Sequence, residues 1–227
     1  MTNKIAIFVE GRTELELVVR ILEAMCGSRG VKITTLIQRN GQLHFLKMRG
    51  NDGTVAAMVA NCSSDGQVKT QIVDRYQSLV DAGYTHIIGL RDLYPIEKHD
   101  FNRLVITMKA GLPNTPVPVE IVIAVNEVES WFIDELSHFQ RIHNALTVTR
   151  IVASGFDIIN TFGDAWDHPA EVLHEIYRLE GLSYRKRSSQ IDRTINALDI
   201  DLLYCDAVKR SPSLKFFFSS VESSLGF

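Results

Sequence analysis

The sequence predicts an α/β protein built on a mainly parallel sheet with helices on both faces. Three observations predict it. Four apolar runs of strand length stand at residues 5–9, 31–37, 86–92 and 119–125. Between successive runs lie segments whose apolar residues recur every three or four positions, the spacing of one helix face. Strands and helices alternating in this way make βαβ units, whose parallel strands are covered on both sides.

The first run, "IAIFV", is continuous and rich in β-branched residues, as a strand buried on both faces requires. Leu15, Val18, Val19, Leu22, Met25 and Cys26 then mark a helix, with Thr13 expected as its N-cap, Glu16 in the capping-box position and Gly27 or Gly30 at its end. After the second strand, Gly, Asn, Ser and Asp accumulate between Gln38 and Gly66, and loops around one short element near residues 54–60 are expected. Val68, Ile72, Tyr76, Leu79 and Val80 give a second helix closed by Gly83. The run "HIIGLRD" is a strand ending at Asp92, followed by a turn at Tyr94-Pro95 and a helix with Phe101, Leu104, Val105 and Met108 on one face. "VEIVIAV" is the fourth strand. Beyond Glu129 the segments "SWFIDELSHFQRI", "AEVLHEIYRL", "QIDRTINAL" and "SPSLKFFFSSVESSL" read as helices. With no internal repeat and no linker, the expected division is an α/β core over 1–135 and a C-terminal helical elaboration over 136–227 packed on it.

Composition narrows the function classes. The formal net charge of -3 excludes a field that would draw the whole protein onto nucleic acid or acidic lipid, so any phosphate contact must be local. Arg185, Lys186 and Arg187, with Tyr184 beside them, and Lys209-Arg210 are the local candidates. Cys26, Cys62 and Cys205 are far apart and odd in number, which argues against a disulfide framework and for a reducing cytoplasm. No segment has the order of a signal peptide and no apolar run is long enough to span a bilayer, so no membrane association is expected.

The acidic residues carry the chemistry. In parallel sheets ligands gather at the carboxyl ends of strands, and Glu10, Asp92 and Glu127 or Glu129 each lie just past a predicted strand end. Converging carboxylates suit Mg²⁺ or Mn²⁺, which take oxygen ligands and leave positions for water and phosphate oxygens. Other devices are missing: there is no G-x-x-x-x-G-K-[ST] loop, no G-x-G-x-x-G, no G-x-S-x-G elbow, and Glu135-x-x-His138 lacks the rest of a zinc motif.

The stretch "IFVEGRTELELVVRIL" resembles the first motif of Toprim domains, in which a strand delivers a Glu followed by Gly and the next helix carries another acid, here Glu10 and Glu14. "IIGLRDLY" stands where their Asp-x-Asp motif falls, with Asp92 matching the first Asp and Tyr94 replacing the second. "NEVESWFIDE" is similar to the third acidic element of a bacterial group like the OLD (overcoming lysogenization defect) nucleases, with Glu129 at its Glu. "YRKRSS" and "KRSPSLKFFFSSVE" resemble the segments that follow the core in that group. The resemblance implies a Toprim-like, Rossmann-like fold and a Mg²⁺- or Mn²⁺-dependent nuclease acting on DNA or RNA, in bacterial defence or mobile-element biology. It implies Glu10, Asp92 and Lys186 as catalytic residues and Glu10, Glu14, Asp92 and Glu129 as metal ligands. The competing expectation is a degenerate, non-catalytic Toprim-like subunit of a separately encoded ATPase or nucleic-acid-processing partner, or a homo-oligomer, because a neutral phenol at Tyr94 is a poor ligand for Mg²⁺.

Overall fold

A computed structural model describes residues 3–64 and 66–226. In chain order the elements are β1 (Asn3–Val9), α1 (Arg12–Cys26), β2 (Val31–Arg39), β3 (Gln42–Gly50), β4 (Val55–Asn61), α2 (Gln67–Asp81), β5 (His86–Asp92), α3 (Phe101–Lys109) and β6 (Val119–Ala124). Then come α4 (Glu129–Asp134), α5 (His138–Ile142), α6 (Val148–Ala153), α7 (Pro169–Arg178), α8 (Ser188–Ala197), α9 (Ile200–Cys205) and α10 (Pro212–Leu225), with short 3₁₀ turns between some of them. The protein is therefore α/β, as predicted: one six-stranded, mostly parallel sheet in the order β3-β2-β4-β1-β5-β6, with a helical C-terminal region.

The centre of the sheet follows directly from the apolar runs. Ile5 to Val9 of β1 are fully buried, and β1 pairs in parallel with β4 on one side and β5 on the other. Gly89 in β5 is needed for close packing, since a Cβ there would lie 2.6 Å from Ile121 Cδ1 and 3.0 Å from Ile72 Cδ1. The Tyr76 hydroxyl donates to the Val117 carbonyl at 2.8 Å and accepts from the Val117 N–H at 3.0 Å, tying α2 to the segment that enters β6.

Two local expectations are corrected. The region from Gln38 to Gly66 is not mainly loop: the short element expected near residues 54–60 is β4, and β3 precedes it. Arg39 pairs with Gln42 across an Asn40-Gly41 turn in which both residues have positive φ, 50° and 77°. Asn-Gly is a strong hairpin signal, and counting it as loop composition hid the strand behind it. Helix α1 begins two residues earlier than expected, with Gly11 rather than Thr13 as its N-cap. Glu16 makes no capping box; it pairs with Arg49 of β3 at 2.5 Å and Arg12 at 3.8 Å.

The chain divides into two compact units. The first takes the residues up to Arg91, then His99–Ile123, and the chain from Phe217 onward; the second takes Asp92–Lys98 and Ala124–Phe216. This division differs from a boundary at residue 135: the α4 segment groups with the later helices, and the end of α10 groups with the sheet. The second unit has its own core, in which Trp131, Phe132, Phe139, Tyr177 and Tyr184 are buried. Among the described residues no helix is long and apolar enough to cross a membrane.

Candidate metal centre

All the groups that converge on the candidate centre belong to the second unit. Asp92 is the last residue of β5, and its Oδ1 accepts the Val128 N–H at 3.0 Å. The chain beyond β5 then runs beside the chain beyond β6, with Leu93 N–H donating to the Ala124 carbonyl and Tyr94 N–H to that of Asn126. Asn126 adopts a left-handed conformation, φ 61°, which Asn tolerates better than most residues. Its side-chain amide is fixed by the Trp166 carbonyl. This turn brings in Glu127, and α4 starts two residues later at Glu129.

The result is three carboxylates, Asp92, Glu127 and Glu129, with ligand oxygens within 4.8 Å of one another. Lys186 reaches the same place from the loop before α8, its Nζ 2.9 Å from Glu127 Oε1 and 3.1 Å from Glu129 Oε2. That loop is held by Gln190, whose Oε1 accepts the Arg185 N–H at 2.6 Å and the Arg187 N–H at 3.3 Å, while Lys186 between them has φ 52°. A positive φ at a non-glycine residue is strained and persists where surrounding contacts impose it. Glu127 Oε2 accepts the Ala170 N–H at 3.0 Å in the first turn of α7, where the helix dipole also favours an anion. Tyr184, itself buried, donates its hydroxyl to Glu129 Oε1 at 2.7 Å.

Three carboxylates and the Lys186 ammonium meet here, and Lys186 lies against both Glu127 and Glu129. Burial pushes the Glu129 carboxyl above the usual carboxylate range and neighbouring Glu127 adds to this, while Lys186 and Tyr184 oppose it. Burial works against the Lys186 ammonium, but Glu129, Glu127 and Asp92 outweigh it and its pKa is raised. Glu129 is wholly buried, with its Oε1 held by Tyr184 and its Oε2 3.1 Å from Lys186 Nζ. Carboxylate oxygens gathered within 4.8 Å of one another are the donors a hard divalent ion takes, so the residues present can hold a metal.

Of the residues singled out by sequence, the fold brings Asp92, Glu129 and Lys186 together. Glu127, which the sequence left as an alternative to Glu129, joins rather than replaces it. Glu10 follows β1 and Glu14 sits in the first turn of α1, both in the first unit; Glu14 is buried, and a Cβ on Gly11 would lie 2.9 Å from its Oε2. Arg185 and Arg187 are exposed beside Lys186, and Lys209 is exposed with Asp206 at 2.8 Å. Arg210 is not a surface cation: its Nε binds Asp134 Oδ1 at 2.7 Å, its other nitrogens bind the carbonyls of Ile158, Ile159 and Thr161, and it lies over the Phe162 ring. The "YRKRSS" run is likewise no plain solvated loop, since Tyr184 and Lys186 both point at the acids. Tyr184 was expected beside the basic run as a stacking residue; it is buried instead, with its hydroxyl on Glu129. His138 is a core residue, its Nδ1 2.6 Å from the Glu135 carbonyl and its Nε2 3.0 Å from the Tyr177 hydroxyl, and burial lowers its pKa to about 4.

No protein-family model, curated protein or solved structure matches the chain.

Proposed function

We propose that the chain is a divalent-metal-dependent nuclease that hydrolyses a phosphodiester of DNA or RNA at the centre formed by Asp92, Glu127 and Glu129. The observation that carries this reading is the cluster of three carboxylates, Asp92, Glu127 and Glu129, whose ligand oxygens lie within 4.8 Å of one another. Hard oxygen donors, with no thiolate or imidazole in the group, favour Mg²⁺ or Mn²⁺ over zinc. When bound, such an ion supplies Lewis-acid stabilisation of the phosphate and a water of lowered pKa. The three carboxylates would hold it, and the Tyr184 hydroxyl keeps Glu129 aimed. Lys186 stays an ammonium at neutral pH, so it serves as a fixed positive charge near developing phosphate charge and not as a base. In the reaction a water oxygen forms the new bond to phosphorus as the bond to the sugar oxygen breaks, and that oxygen takes up a proton. The resemblance to Toprim domains supports the same class of reaction and gives further roles to Glu10 and Glu14, with Arg185, Arg187 and Lys209 as backbone contacts.

Lys186 also favours a second reading. If its ammonium alone balances the acids, the centre is structural and the chain is a non-catalytic subunit for a separately encoded ATPase or nucleic-acid-processing partner. The test is Mn²⁺ titration by calorimetry, alongside cleavage of supercoiled plasmid, linear DNA and single-stranded RNA with Mn²⁺, Mg²⁺ or EDTA. Wild-type protein is compared with Asp92→Asn, Glu129→Gln and Glu10→Gln. Stoichiometric Mn²⁺ binding and metal-dependent cutting, both lost in Asp92→Asn and Glu129→Gln, establish the nuclease. Absence of Mn²⁺ binding in the wild type leaves the second reading.

A further inference from the structure

Helix α7 reaches two of the pieces that build the centre. Its first turn holds Glu127 through the Ala170 N–H. Further along, His174 and Tyr177 stand three residues apart, which makes them neighbours on one face of the helix, and both meet Tyr184. The Tyr177 ring lies edge to face with the Tyr184 ring, centroids 6.2 Å apart at 89°. The His174 Nδ1 accepts the Tyr184 N–H at 3.1 Å. Tyr184 is therefore held by its backbone and its ring from α7, while its hydroxyl donates to Glu129. The residues on either side of it are held from α8. Arg193 and Gln190 take the Ser183 carbonyl and hydroxyl at 2.6 and 2.7 Å, and Gln190 accepts the N–H groups that flank Lys186.

Packing alone does not account for a histidine at position 174. It is buried beside Leu173, Ile176 and Tyr177 on an otherwise apolar side of α7. A ring nitrogen taken out of water there is unfavourable unless it gains a hydrogen bond, and the partner it gains is the Tyr184 backbone. To accept at Nδ1 the ring must be neutral and carry its proton on Nε2. Burial lowers the His174 pKa, and Arg185 and Arg178 add to this against Glu175 and Glu171, so the ring is neutral at neutral pH. An apolar side chain of similar size would fill the same space and leave the buried Tyr184 N–H without its acceptor.

We propose that His174 is a positioning residue of the centre: as a neutral acceptor it fixes the backbone of Tyr184 so that the hydroxyl reaches Glu129 and aims that carboxylate. The consequence for metal rests on the reading of the centre given above, whereas the contact itself is tested without metal. The experiment uses the full chain as wild type, His174→Gln, His174→Leu, Tyr184→Phe and the double variant His174→Leu/Tyr184→Phe. Gln offers a carbonyl oxygen to the same N–H, and Leu fills the space but offers none. In EDTA at neutral pH, nitrogen NMR of labelled histidine is expected to show His174 protonated on Nε2 alone. Deuterium exchange of the Tyr184 amide is expected to be about tenfold faster in His174→Leu than in wild type, with His174→Gln close to wild type. Mn²⁺ titration by calorimetry then follows the consequence. Affinity is expected to fall about tenfold in His174→Leu and in Tyr184→Phe, to be kept in His174→Gln, and to fall no further in the double variant, since both changes act through one hydroxyl. Equal losses in His174→Gln and His174→Leu would make His174 a packing residue and overturn the proposal. So would a Tyr184 amide that exchanges alike in His174→Leu and wild type, or losses that add in the double variant. A wild type that binds no Mn²⁺ sinks the metal reading instead, and the exchange rates, taken without metal, still decide whether His174 holds Tyr184.

Discussion

The two ends of α4 hold buried carboxylates that are treated in opposite ways. At its end, Asp134 meets the Arg210 guanidinium at 2.7 Å and the Gly163 N–H at 2.9 Å, both on Oδ1. The next residue, Glu135, is matched in the same manner by Arg141 at 2.6 Å. At its start, Glu129 shares a single lysine with Glu127 and has Asp92 in the same cluster. One acid per cation is what a fold needs to bury a charge. At the start of α4 two acids divide one lysine, and a buried acid without a cation of its own destabilises the fold unless something else is bound.

The strongest way to break the comparison is to remove the cation from the balanced end. Arg210→Ala leaves Asp134 buried without its partner and also frees three carbonyls, and it is expected to lower stability by about 3–5 kcal/mol, read as a shift of the urea midpoint. Mn²⁺ should not restore this loss. A variant as stable as wild type would show that Asp134 and Arg210 are not a structural pair and would remove the basis of the contrast.

Asp164 sharpens it, because it is where the balanced end carries spare negative charge. It lies within 3.4 Å of the Ser211 hydroxyl and near Asp134, and burial, with Asp134 adding to it, raises its pKa from the ordinary value to about 6. The backbone that carries it is packed tightly on α4, since a Cβ on Gly163 would fall 1.9 Å from the Ser130 carbonyl oxygen. Below about pH 6 this spare charge is removed by a proton. In the native state Asp164 holds its proton up to about pH 6, whereas the unfolded chain releases it near its ordinary value. The stabilisation is therefore full at low pH and is lost as pH rises from the ordinary value through 6, about 3 kcal/mol in total. Asp164→Asn, which cannot ionise, should gain on wild type over that interval. Urea midpoints that change in parallel from pH 4 to 7 would sink the assignment.

How much of this was legible in the sequence depended on whether the signal was local. The central strands were, because burial on both faces writes a continuous apolar run such as Ile5 to Val9. Strand β3 was not, since its side chains are largely exposed and only the Asn40-Gly41 turn betrayed it. Asp92 and Glu129 could be found from strand ends. That both acids of "NEVE" take part depends on the left-handed turn at Asn126, which composition does not reveal. The contact of Tyr184 with Glu129 spans 55 residues and that of Arg210 with Asp134 spans 76, so no local pattern could distinguish a basic residue that binds an acid in the core from one that meets solvent.

The smallest effect separates the two readings of the centre most directly. Lys186→Met removes the ammonium while keeping much of the side chain's apolar length, and so takes from Glu127 and Glu129 the cation they share. If the centre holds a metal, the variant should bind Mn²⁺ about tenfold more tightly, a gain of about 1.4 kcal/mol, because a competing cation is gone. In EDTA the same variant should be less stable than wild type, and Mn²⁺ should bring it back. If Lys186 is the only counter-ion the acids use, the loss of stability remains but added Mn²⁺ does not repair it. The sign of the Mn²⁺ response therefore decides between carboxylates kept for a metal and carboxylates that the lysine was there to quench.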